Sequence, residues 1–88
     1  MPAAVPNDLE TFFSSNAERF RAELFDFLRI ASVSARAEHR PDLERAAEWL
    51  AGALRSAGLA VEIHPTAGNP IVLGEWRGAG AEAPTVLI

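Results

Sequence analysis

The feature that most constrains the fold of this 88-residue chain is its last segment, where apolar residues follow one another without interruption. Val86, Leu87 and Ile88 come after Pro84 and Thr85, and no polar residue separates the three. A run of this kind predicts a strand that is buried on both faces. A free terminal carboxylate is costly in such surroundings, because a buried unpaired charge loses its hydration. We therefore expect the chain to be the front piece of a larger protein, with the active site lying mostly beyond these residues.

The composition fits a globular protein and excludes several kinds of partner. Hydrophobic residues make up 49% of the chain and charged residues 23%, which is too apolar for a disordered segment. The net charge is -4 and no block of Lys or Arg is present, so we expect neither nucleic acid nor a membrane as partner. The absence of cysteine excludes disulfides, thiolate metal sites and a cysteine nucleophile. Residues 1–8 lack the basic and apolar regions of a signal peptide, and we expect a cytoplasmic protein.

Apolar spacing predicts one long amphipathic helix over residues 8–30. Its apolar residues recur at intervals of three, four and seven, and Asn7 with Glu10 can form a capping box at its start. Residues 14–16 are a weak point. Ser15 and Glu18 can form a second capping box, so the helix can restart there.

A second helix is predicted to begin at Pro41, a residue that suits the first turn. Gly58 ends it with a Schellman stop, after which Leu59 can pack back on Leu54. The apolar stripe of this helix consists of Leu43, Ala47, Leu50, Leu54 and Ala57.

Three strands are predicted to follow, over residues 59–64, 71–76 and 85–88. The first alternates apolar and polar residues and so has one wet face, whereas the other two are apolar on both faces. The second and third are expected to be antiparallel neighbours joined by residues 78–83. The predicted fold class is therefore α/β, with two helices followed by a partial, mainly mixed or antiparallel three-strand sheet. Two helices cannot cover both faces of this sheet, so residues 1–88 are expected to be an incomplete portion of a domain.

The two histidines are weak candidates for metal ligands. His64 has Glu62 beside it on the same strand face, and His39 lies in a polar loop. A zinc site needs three or four ligands, and neither histidine has such a set at ligand-like spacing. We interpret both as surface residues.

Other residue types with catalytic or binding potential also favour structural roles. Ser32 and Ser34 lack a nucleophile elbow and an acid-and-histidine pair, so we expect them to bond free backbone groups at a helix end. Trp49 and Trp76 are interpreted as core or interface aromatics and not as a platform for stacking bases. The two glycines at positions 78 and 80 are not followed by a helix, which argues against a phosphate loop.

The order of several short segments resembles the zinc-dependent dipeptidases and deacylases, the family of carnosinase, acetylornithine deacetylase and succinyl-diaminopimelate desuccinylase. The dipeptidase branch is the most similar, and the resemblance covers residues 9–88. Ala31 departs from it, because many relatives have proline there. The segments are FLRIASVS at 27–34, AAEWL at 46–50, LRSAGL at 54–59, NPIV at 69–72 with EW at 75–76, and PTVLI at 84–88.

The resemblance implies the front part of a metallopeptidase catalytic domain. In such enzymes two zinc ions share a carboxylate and a water, and a glutamate acts as general base. The last strand leads directly into a Gly-His-x-Asp segment that supplies ligands, so no catalytic, cofactor-binding or metal-ligating residue is assigned within residues 1–88. The implied partners are the remainder of the catalytic domain and a small peptide or N-acyl amino acid substrate. We expect the 88-residue chain alone to bind no zinc and to be inactive.

Two other interpretations stay open. The chain can be a stand-alone α/β interaction module that forms a homodimer through its exposed sheet, without catalysis. It can also be a non-functional truncation product that is poorly soluble, because its strands lack covering helices.

Overall fold

A computed structural model describes residues 7–88, in which three α-helices precede a two-stranded antiparallel sheet. A single 3₁₀ turn, Ala37–His39, leads into the third helix. The α/β class predicted from the sequence is confirmed. The elements are α1 (Asn7–Ser15), α2 (Ala17–Leu28), α3 (Arg40–Ser56), β1 (Ala60–His64) and β2 (Ile71–Glu75).

The predicted long first helix is divided at Asn16 into α1 and α2. The backbone ladder nevertheless continues, because the Asn16 N–H donates to the Phe12 carbonyl at 3.1 Å and the Phe20 N–H donates to the Asn16 carbonyl at 2.9 Å. The Asn16 side chain also donates to the Phe12 carbonyl, at 2.8 Å. The predicted capping box of Ser15 and Glu18 is wrong. The N-cap position of α2 is occupied by Asn16 and not by Ser15, and the Glu18 side chain pairs with Arg21 at 3.1 Å. The predicted cap at Asn7 concerns a side chain outside the described part of the structure.

The end of α3 is the Schellman stop that the sequence predicts. The Leu59 N–H donates to the Leu54 carbonyl at 3.1 Å, and the Gly58 N–H donates to the Arg55 carbonyl at 2.9 Å. Gly58 has a φ of 95°, which only glycine adopts at little cost. The helix begins at Arg40, one residue before the predicted start at Pro41.

The sheet pairs β1 with β2 and presents two different faces. The register places Val61 opposite Gly74 and Ile63 opposite Val72, and this face packs on α3. Gly74 allows the close approach: a Cβ there would lie 3.0 Å from Leu59 Cδ2 and 3.2 Å from Leu54 Cδ1. The predicted wet face of the first strand is confirmed by the alternating exposure of β1. The second strand alternates in the same way, so one of its two faces is exposed in this structure.

The third predicted strand is not formed in this structure. Residues 84–88 adopt no regular element, and Val86, Leu87 and Ile88 are almost fully exposed. The predicted second strand ends at Glu75 and does not reach Trp76. Strand formation needs a partner edge for its backbone groups, and a local apolar pattern cannot supply one.

The buried part of the molecule is small. Among the side chains that the structure describes, those of Ala46, Ala47 and Ala51 are buried, all on α3. The apolar stripe predicted for this helix is therefore partly wrong, because Leu50 is exposed. Alanines become buried first because small side chains are covered as soon as a helix lies close to a sheet. Within residues 7–88 no helix combines the length and the apolar character needed to cross a membrane.

Candidate functional site

The most distinctive surface of the molecule is the side of the sheet turned away from α3, which we call the open face. It carries Ala60, Glu62 and His64 from β1 beside Glu75, Leu73 and Ile71 from β2. Ile71 is 57% exposed and Leu73 is 40% exposed, although large aliphatic residues are most often buried. The open face thus carries Ile71 and Leu73 opposite the pair of His64 and Glu62, and Ala60 opposite Glu75 at its other end.

The total accessible surface is larger than a compact monomer of this mass would expose. The chain exposes 7452 Å², against about 5,000 Å² expected for a compact monomer. A standard protein interface takes about 800 Å² from each partner. The excess is spread over the whole chain, including the exposed residues 86–88, and is not the area of one face.

The helices contribute a second exposed apolar region. Phe12 contacts Phe13 and Phe20 with ring centroids 5.9 and 5.8 Å apart, so the three rings form a small cluster across α1 and α2. A neighbouring row on α2 also faces solvent and consists of Leu24, Phe25 and Leu28. Exposed patches of this kind mark contact surfaces in soluble proteins.

Three polar side chains contact one another at the start of α3. His39 Nδ1 lies 2.9 Å from Asp42 Oδ2, and Arg45 Nη1 donates to Asp42 Oδ1 at 2.8 Å. His39 is half-buried, so the interpretation of it as a solvated loop residue is wrong. The i,i+3 spacing of His39, Asp42 and Arg45 on a helix start was the signal that could have revealed this contact. The arrangement ties the loop before α3 to its first turn.

The second histidine forms a simpler pair. His64 Nε2 lies 2.9 Å from Glu62 Oε2 on the open face of β1, and both side chains are exposed. The interpretation of this pair as a surface feature of the strand is confirmed. Exposed ion pairs of this kind contribute little to stability.

These residues do not fit a zinc site. Within residues 7–88, no group of three or more histidine, aspartate or glutamate side chains comes together. The two histidine–carboxylate pairs supply two ligands each, and in one of them the carboxylate also holds Arg45. A structural or catalytic zinc ion needs at least three protein ligands. Neither histidine–carboxylate pair therefore makes a zinc site by itself among the described residues.

The remaining candidate residues have structural positions. The hydroxyls of Ser32 and Ser34 make no hydrogen bond in the described part of the chain, so the role predicted for them at the helix end is not seen. At the end of α2 the Arg29 N–H donates to the Phe25 carbonyl at 3.0 Å. Trp49 packs against Phe27, with ring centroids 5.0 Å apart, as expected of an aromatic at a helix–helix contact. Trp76 is 65% exposed and is not a core residue.

A shallow groove of about 430 Å³ lies between the first half of α3 and the β1–β2 loop. Its floor is apolar and includes Leu43 and Ile63, whereas Arg40, Glu44 and Glu48 stand at its rim. The Arg40 guanidinium reaches the Gly68 carbonyl at 3.5 Å and closes one end. The three charged residues at this groove are exposed to water.

Comparison with known proteins gives no further guide to function. Neither a protein family, nor a curated protein, nor a solved structure matches this chain.

Proposed function

We propose that this chain is a scaffold segment of a metal-dependent peptidase or amidohydrolase that cleaves dipeptides or N-acyl amino acids. In this proposal the helices and the hairpin form one edge of the catalytic domain, and the groups that hold zinc belong to the rest of that domain. The same proposal places the enzyme in the cytoplasm, with which the absence of cysteine is compatible.

The observation that carries the scaffold proposal is the near absence of a buried core. Only small alanine side chains are buried among the described residues, while large apolar side chains cover both the open face and the helices. A stable domain must bury its apolar faces against another layer. The assignment to a hydrolase rests on the resemblance of the short segments, which run in the same order along nearly the whole chain.

The third strand belongs to the same proposal. Thr85–Ile88 would join the sheet on the free side of β2, where its three consecutive apolar side chains are covered by further helices. Two successive turns already reverse the chain before it, with the Gly80 N–H bonded to the Arg77 carbonyl at 3.2 Å and the Ala83 N–H bonded to the Gly80 carbonyl at 3.3 Å. Pro84 suits the first position of a strand, because it has no N–H to donate.

The alternative is an interaction module without catalysis, and the unpaired edges of the sheet favour it. Two copies would cover these edges by pairing them. This alternative predicts a cooperative dimer of the 88-residue chain that needs no metal, whereas the hydrolase proposal predicts that the isolated chain has no activity.

The test is to express the complete reading frame that contains these residues and to determine its intact mass, zinc content and hydrolysis of a panel of dipeptides and N-acetyl amino acids. We expect a mass well above the 9.5 kDa of this chain, bound zinc, and hydrolysis that a chelator abolishes and added zinc restores. The 88-residue chain, as the matched control, should neither retain zinc after dialysis nor hydrolyse these substrates. Hydrolysis by the 88-residue chain, or none by the complete product, would contradict the proposal.

A further inference from the structure

We draw no further inference here: the strongest candidate, the shallow groove between the first half of α3 and the β1–β2 loop, has only the solvent-exposed side chains of Arg40, Glu44 and Glu48 as its charged groups, and nothing in the structure shows what occupies it.

Discussion

At the residue scale, the best-defined feature is the glycine that ends α3. Gly58 adopts a φ of 95° and allows both hydrogen bonds of the Schellman stop to form. A Cβ at this position would meet no atom within 4 Å, so a substitution there is opposed by the backbone conformation and not by a clash. The sequence was sufficient to predict this stop, because the requirement for glycine is local.

We therefore expect Gly58→Ala to lower the free energy of unfolding by about 1 kcal/mol, the cost of a left-handed alanine. Gly52→Ala is the matched control, since Gly52 lies inside α3 and also has free space around a Cβ. This control should raise stability by about 0.5–1 kcal/mol, because alanine is the better helix former. Urea unfolding followed by circular dichroism measures both changes in the complete protein, because the isolated chain is expected to unfold without a cooperative transition. A loss of stability in both variants would show that backbone conformation is not the cause.

At the scale of the elements, local signals were enough to predict where helices lie, and non-local contacts decided the rest. The stripe of α3 was predicted from spacing alone. The side chains that are buried are the alanines, because burial depends on where the two later strands pack against the helix. The break between α1 and α2 lies within the predicted weak point at residues 14–16, but the capping box of Ser15 and Glu18 that was predicted there does not form. The predicted third strand is not paired with either free edge of the sheet in this structure, which no property of residues 85–88 could reveal. Because α3 begins at Arg40 and not at Pro41, His39 occupies the N-cap position, three residues before Asp42, and the two side chains are in contact.

The close packing of α3 on the sheet is possible because Gly74 has no Cβ atom. The Cβ of a valine at position 74 would lie only 3.0 Å from Leu59 Cδ2 and 3.2 Å from Leu54 Cδ1. We expect Gly74→Val to destabilise the fold by about 1–3 kcal/mol, since overpacking outweighs the better strand propensity of valine.

Glu75→Val is the control for that substitution, because residue 75 is the next position on β2 and points to the open face. It gains the same strand propensity without approaching α3. Thermal unfolding of both variants measures the difference. A Gly74→Val protein that is as stable as the Glu75→Val protein would contradict the close contact between α3 and β2.

At the scale of the whole molecule, the helices and the hairpin are well formed but enclose almost no core. The secondary structure is held by local hydrogen bonds, by caps and by a row of exposed ion pairs along the helices. Such pairs contribute little when they are exposed. The apolar side chains that could supply most of the stability face outward. The central claim is therefore that these residues become a stable structure only when another part of the domain covers β2 and the helices.

The most direct test is the two-dimensional amide NMR spectrum of the isolated 88-residue chain, recorded together with its urea unfolding and its molar mass in solution. Our account predicts poorly dispersed resonances, unfolding without a cooperative transition, and binding of a hydrophobic dye to the exposed apolar surface. A monomer with well-dispersed resonances and one cooperative transition would contradict it, because such a chain would not need a covering layer.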